Sequence, residues 1–358
     1  MTRKPTLAIV GATGAVGTVM RDVVSTRDDV WGEIRLVASA RSAGRALPVR
    51  GERTEVRELS ADVFDGVDLA MFDVPDAVSA HWAPVAAEHG VVVIDKSGAF
   101  RMDPDVPLVV PEVNPRHAAR RPKGIISVPN CTTLALIVAV AALHRAFGLR
   151  ELFVASYQAA SGAGQPGTDA LYDQMGKVAG NRALGQRPGD LRAVLGDFGP
   201  FPAPLALNVV PWAGSLREAG WSSEELKIRN ETRKILSLPD LRVSSTCVRV
   251  PVVIGHSAAV HAVFEHEVTQ PKASRVLAEA PGVVVLDDPA RDEYPTPADV
   301  AGTDPTWVGR IRRSLDDPNA LDLFVCGDNL RKGAALNAAQ VAELLLPELT
   351  RARRRAGR

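Results

Sequence analysis

Cysteine is scarce. Cys131, Cys247 and Cys326 are the three in 358 residues, an odd number, widely spaced and without a CxxC pair. That pattern suits neither a disulfide framework nor a thiolate zinc site, so all three are expected to be free thiols. An excess of one charge is also missing. Lys+Arg and Asp+Glu both number 42, which leaves no basic field to attract nucleic acid or an anionic lipid surface. Long apolar runs are absent: "LALIVAVAAL" falls well short of the ~20 residues a membrane span needs. "MTRKPTLAIV" lacks the apolar core and small-residue cleavage site of a signal peptide, so a cytoplasmic protein is expected. No internal repeat is found. The basic ending "RARRRAGR" reads as a frayed, solvated tail after the last helix.

What is present is the balance of a folded, water-soluble chain, with 46% hydrophobic and 23% charged residues and enough length for two domains. The first third alternates strand-like runs ("TLAIV", "IRLVAS", "DLAMF", "VVVID") with helices from about Gly14 and over about Ala77–His89. Such alternation predicts βαβ units on a parallel sheet. A helix over Cys131–Phe147 follows, then the strand "ELFVASYQAAS". Beyond it the β-runs lengthen ("RVSSTCVRVPVVI", "SAAVHAVFEHEVT"), separated by Pro- and Gly-rich pieces such as "GDFGPFPAPLA". An α+β second domain with a mixed or antiparallel sheet is expected there. A helix over about Asn329–Leu346 closes the chain.

"LAIVGATGAVG" runs from a strand into a helix through Gly11, Gly14 and Gly17. Glycines in such a turn let the backbone approach a pyrophosphate, whose charge is favoured by the N–H groups and dipole of the helix start. The spacing is GxxGxxG and not the commoner GxGxxG. Its place at the head of a βαβ pattern nevertheless favours dinucleotide binding over a plain turn, with Gly11, Thr13, Gly14, Ala15 and Val16 as candidate contacts. At the end of the second strand, where an acid usually holds a free ribose 2′-OH, the chain reads "SARSAGR" without a carboxylate. Ser39, Arg41 and Ser42 suit a 2′-phosphate instead, so NADP is favoured over NAD.

Simple alcohol–ketone hydride transfer needs no cysteine, so Cys131 in "SVPNCTTLAL" suggests covalent oxidoreduction through a thioester. At a helix start, exposed N–H groups and the dipole would favour thiolate over thiol. A lone cysteine among apolar residues is more often a packing group, and Cys247 and Cys326, inside strand-like runs, keep that assignment. A thioester route also needs an acid/base. Of the seven histidines, His256 in "RVPVVIGHS" is the best placed, because Arg249 ends a strand and Gly255 permits a sharp turn. His256, His261 and His266 do not form a metal set, since steps of five along a strand alternate faces.

Together the segments "GATGAVG", "ASARSAG", "AFRMDPDVPLVVPEVN", "PNCTT", "YQAASGAG", "EELKIRNETRKIL", "TCVRVPVVIGHS" and "DNLRKGAALNAAQ" resemble the aspartate-semialdehyde dehydrogenase family over nearly the whole chain. The resemblance implies NADPH-dependent reduction of L-aspartyl 4-phosphate to L-aspartate 4-semialdehyde, in the biosynthesis of lysine, threonine, methionine and isoleucine. It implies Cys131 as nucleophile, His256 as acid/base and Gln158 as the residue orienting the acyl intermediate. Arg249 would bind the substrate carboxylate, Glu224 its ammonium, and Arg101, Asn130 and Lys227 its phosphate. Asn329 would lie near the nicotinamide. Ser222 and Glu225 are spaced as a capping box that would turn Glu224 and Lys227 toward one cleft. The fold class implied is α/β: a Rossmann-like NADP-binding domain over 1–129, completed by a C-terminal helix over 329–350, and an α+β catalytic and dimerisation domain over 130–328. A homodimer or dimer of dimers follows from the same likeness.

The chain also departs from that family. "DVPDAVS" stands where "SAGGSVS" is common, placing Asp73, Pro75 and Asp76 at a turn expected to line the cofactor, and "DKSGAF" replaces "DNSSAF" at Lys96 and Gly98. Two acids beside a polyanion are unexpected. Competing readings are an N-acetyl-γ-glutamyl-phosphate reductase, which would not call for Glu224, a pathway-specific enzyme for an aspartate analogue, and a non-catalytic homologue, which should have lost Cys131 or His256.

Overall fold

A computed structural model describes residues 4–356, with side chains through Arg351. The chain divides into two compact units: Met1–Asn130 with Lys234–Leu236 and Gly333–Arg358, and Cys131–Arg233 with Ser237–Lys332.

In the first unit the apolar runs become β1 (Leu7–Val10), β2 (Ile34–Ala38), β3 (Ala46–Val49), β4 (Glu52–Glu58), β5 (Leu69–Phe72), β6 (Val92–Asp95) and β7 (Ile125–Ser127). Their order in the sheet is β3-β4-β2-β1-β5-β6-β7. All neighbours are parallel except β3 and β4. Strands buried on both faces, such as "LAIV" and "LAMF" with every residue buried, are what helices on both sides of a parallel sheet require. α1 (Ala15–Thr26) follows β1 and α2 (Asp76–Glu88) follows β5. Because β2 and β5 lie on opposite sides of β1, the strand order reverses there, and a crevice opens between the loops after β1 and β5. Ligands of doubly wound sheets bind at such a switch point.

The second unit opens on α3 (Cys131–Phe147), buried on every side from Thr132 to Leu143. It packs on a six-stranded sheet built from β8 (Leu149–Gln158), β9 (Arg242–Arg249), β10 (His256–Phe264), β11 (Val283–Val285), β12 (Thr306–Arg313) and β13 (Ala320–Gly327). The order is β11-β12-β13-β10-β8-β9, with β8–β9 and β11–β12 parallel and the other pairs antiparallel, so the sheet is mixed. α4 (Gly164–Val178) and α5 (Asp190–Leu195) lie after β8, and α6 (Ser223–Leu236) precedes β9.

The last helix differs from expectation at both ends. A tight turn at 328–330 is held by Asp328, whose carboxylate accepts the N–H groups of Leu330, Arg331 and Gly302. A π-helical turn, Arg331–Ala335, then leads into the helix Leu336–Ala356. Asn329 is therefore outside the helix, and the segment expected to be a frayed tail is helical as far as Ala356; Gly357 and Arg358 lie outside the described residues. The β3–β4 hairpin and α4 are elements that periodicity did not reveal. Among the described residues, no helix is long and apolar enough to cross a membrane.

Candidate active site

Four strand ends meet at one edge of the second unit's sheet. β8 ends at Gln158, which pairs in register with Arg249 at the end of β9, and β10 begins at His256 opposite Gly327 at the end of β13. Cys131 opens α3 at this edge, its Sγ 3.4 Å from His256 Nε2. The peptide of Ala159 organises the cluster. Its N–H donates to His256 Nδ1 at 3.0 Å, and its carbonyl accepts from Arg249 Nη1 at 2.7 Å. Because Nδ1 accepts, the neutral imidazole carries its proton on Nε2, the nitrogen facing Cys131.

Gln158 is fully buried, and its amide nitrogen donates to Thr132 Oγ1, while its Oε1 has no hydrogen-bond partner among the described residues. Gly162 lies over Arg249 and His256: a Cβ there would stand 2.6 Å from Arg249 Nη1 and 2.9 Å from His256 Nε2, so any larger residue would push these side chains aside. Burial pulls the Arg249 guanidinium below its ordinary pKa, opposed by the charges of Cys131 and Glu224. Asn329 is buried, accepting from the Gly255 N–H at 2.9 Å and donating to Ser161 Oγ at 2.9 Å, and so fastens the turn before His256 to the loop after β8.

Ser222 and Glu225 form the expected capping box, N–H to Oε2 at 2.8 Å and N–H to Oγ at 3.3 Å. Glu225 Oε1 also accepts the N–H of Cys247, tying α6 to β9. Glu224 and Lys227 bond to each other at 2.6 Å. Cys247 and Cys326 are buried; burial pushes their thiols up to about 12 and about 11. Both therefore stay protonated near neutrality. His261 bonds to Asp322 at 2.9 Å, well apart in role from His256.

The first unit holds the remaining candidates. Gly11 (φ +92°) follows β1, and a Cβ there would lie 2.0 Å from the Asp73 carbonyl oxygen, so the two loops of the crevice touch through backbone. Thr13, Gly14, Ala15 and Val16 lead into α1 on one side of that crevice. Ser39, Arg41 and Ser42 follow β2 in a short 3₁₀ turn, Ala40–Ser42, with Ser39 and Arg41 exposed and Ser42 buried. The close backbone approach and the open start of α1 fit a dinucleotide diphosphate, and the polar turn fits a ribose phosphate. Arg101 is buried, donating to the carbonyls of Val128 (2.9 Å) and Lys96, and Asn130 is buried just before Cys131. The departing acids have separate partners: Asp76 accepts the Gly98 N–H at 2.7 Å, and Asp73 pairs with Lys96 at 3.1 Å. Ala159, Gly162 and Thr132 escaped sequence reasoning because two act through backbone or lack of a side chain. Their only signal was membership of "YQAASGAG" and "PNCTT".

Comparison with known proteins follows both units. Residues 6–121 match the family model for the semialdehyde dehydrogenase NAD binding domain, and residues 140–332 that for the semialdehyde dehydrogenase dimerisation domain. The aspartate-semialdehyde dehydrogenase of Streptomyces akiyoshiensis is 47% identical over 348 residues, covering 96% of this chain and 99% of that protein. That of Corynebacterium glutamicum is 45% identical over 348 residues, covering 95% and 99%. Among solved structures, aspartate semialdehyde dehydrogenase II from Vibrio cholerae complexed with ASA superposes with a TM-score of 0.90 at 37% identity, covering 96% of this chain and 99% of that one.

Proposed function

The chain belongs to the semialdehyde dehydrogenase family, and from that premise we propose that it is an NADP-dependent, phosphorylating aspartate-semialdehyde dehydrogenase of amino-acid biosynthesis. The observation that carries the reading is the contact of Cys131 Sγ with His256 Nε2, beside a buried guanidinium. The Cys131 thiolate attacks the acyl carbon of L-aspartyl 4-phosphate; a C–S bond forms, the C–O bond to phosphate breaks, and phosphate leaves. NADPH, when bound, supplies the hydride that reduces the thioester. The resulting oxyanion re-forms its carbonyl, the C–S bond breaks with its electron pair returning to sulfur, and the semialdehyde is released.

His256 is the acid/base in this scheme, and the hydrogen on Nε2 is the one it presents to charge on sulfur or on the oxyanion. Arg249 pairs with the substrate carboxylate. Glu224 takes its ammonium, which requires the Glu224–Lys227 pair to open and releases Lys227 for the phosphate, with Arg101 and Asn130. Gln158 is assigned to orienting the acyl group, and Asn329 to the nicotinamide. Arg41, Ser39 and Ser42 receive the 2′-phosphate. The domains assigned are 1–129 with the C-terminal helix for the cofactor and 130–328 for catalysis and dimerisation. A homodimer forms through the sheet face opposite α3, where Phe153 and Tyr157 are exposed and Phe153 lines a groove of about 370 Å³.

The test is NADP reduction with phosphate and L-aspartate semialdehyde, run beside N-acetylglutamate semialdehyde. Turnover of the first and not the second is expected. The reverse preference would replace this reading by the reductase of the acylated substrate.

A further inference from the structure

The crevice between β1 and β5 holds a carboxylate beside the place where an anion is to be received. α1 starts at Ala15 with Gly14 as N-cap, no side chain among the described residues caps it, and no acidic residue occupies its first turn. Its leading N–H groups and the positive end of its dipole are thus available to a negative group from elsewhere. Asp73 supplies one. Its Oδ2 lies 3.7 Å from the position a Cβ would take on Gly14, while its backbone carbonyl abuts Gly11.

Lys96 holds the other oxygen, with Nζ 3.1 Å from Oδ1. The pairing follows from sheet register: Phe72 and Asp95 are opposite each other in the parallel pair β5–β6, so the next residue of each strand emerges side by side. Both side chains are largely withdrawn from water, at 18% and 24% exposed, which limits screening. Asp76, the second acid of the turn, has a different task. It accepts the Gly98 N–H, and a Cβ at Gly98 would stand 2.9 Å from its carboxylate, so the aspartate and the glycine fit each other. Of the two acids, Asp73 is the one whose charge faces the glycine loop.

We propose that Asp73 sets the affinity of the dinucleotide, its carboxylate opposing the diphosphate at the start of α1, and that Lys96 is the compensating cation that keeps this opposition small. The inference rests on the dinucleotide reading of the loop and adds to it an affinity-determining pair of side chains.

The experiment is calorimetric titration of NADP and NAD into the full chain, its Asp73→Asn, Asp73→Ser and Lys96→Met variants, and the Asp73→Asn/Lys96→Met double variant, at low and high salt. Asparagine keeps the shape and can still accept from Lys96, but carries no charge. Asp73→Asn should bind both dinucleotides roughly tenfold more tightly, the scale of one unit repulsion across several ångströms of partly screened medium. High salt should shrink the gain. Asp73→Ser should shift in the same direction, which guards against a folding defect in either variant. Lys96→Met should bind more weakly, and less so once Asp73 is asparagine. Unchanged or weaker binding by both Asp73 variants overturns the proposal, as does an equal loss on Lys96→Met in both backgrounds, which would make Lys96 a direct phosphate ligand. Failure of the unmodified protein to bind either dinucleotide overturns the reading of the loop itself.

Discussion

The backbone N–H of Ala159 donates to Nδ1 of His256, leaving the imidazole's own proton on the nitrogen that faces Cys131. In the proposed scheme sulfur enters and leaves as thiolate, so the acid/base role of His256 falls chiefly on the hydrogen its Nε2 offers to charge on sulfur or on the oxyanion. His256→Ala should therefore lower kcat by roughly 10²–10³-fold with little change in KM, the usual scale for losing one donor at a developing charge. His256→Gln, whose amide N–H reaches part of the way to the same place, should recover some of that loss. If glutamine performs no better than alanine in steady-state kinetics, full proton transfer by His256 is required and hydrogen-bond donation alone does not account for its role.

Cys131 should be the one thiol to react. Cys247 and Cys326 are buried and held protonated, with pKa values near 12 and 11, whereas Cys131 is partly exposed at a helix start. Brief treatment of the folded protein with iodoacetamide, followed by peptide mass mapping, should find the label on Cys131. Acyl-enzyme trapped from substrate should sit on the same residue, and Cys131→Ala should abolish turnover while dinucleotide binding survives. An adduct on Cys247 would refute the assignment.

The two buried thiols also predict an alkaline loss of stability. Above the ordinary thiol pKa of about 8.5 the unfolded chain releases protons that the folded chain keeps, so the unfolded state gains. Their contribution is fully present below that pH and is lost as pH rises toward 11 and 12. The slope is at most ~1.4 kcal/mol per pH unit for each thiol. Denaturant midpoints measured across this range should fall, and Cys247→Ala should fall less steeply. An identical slope in the variant would show that Cys247 plays no part.

Arg249→Lys keeps a positive charge but not the planar fork that reaches the Ala159 carbonyl. Since the same peptide orients His256, misplacement spreads to the imidazole, and both KM and kcat should suffer. A rise in KM with kcat intact would confine Arg249 to simple substrate binding.

Arg41→Ala should weaken NADP by about 1.5–3 kcal/mol, the worth of a hydrogen bond to a charged group, while leaving NAD nearly unchanged. Titration of both cofactors decides it. Equal loss would make Arg41, exposed after β2, a bystander.

Much of the fold was legible because it is locally encoded. Four-residue apolar runs between helical periods yield a parallel sheet, and the run after Cys131 makes a helix with the expected ends, Cys131–Phe147. Glycines at 11, 14 and 17 announce a turn whatever surrounds them. The β3–β4 hairpin carries alternation among too many charges to stand out, and the last helix starts late because the Asp328 carboxylate takes the N–H groups of Leu330 and Arg331, a contact no period reveals.

Sequence by itself thus determined which residue types were present for the proposed site and on which strand or helix end each would lie, since those depend on neighbours a few positions away. It left Asp73 and Lys96 as two unexplained departures and Ala159 unnoticed. Tertiary structure decided the rest: strand register sets Asp73 beside Lys96, 23 positions on, and the meeting of β8, β10 and α3 brings His256 to Cys131 across 125 positions. Backbone hydrogen bonds from Ala159 carry no side-chain signature, and the pairing of distant charges depends on register. Neither can be read until the sheet exists.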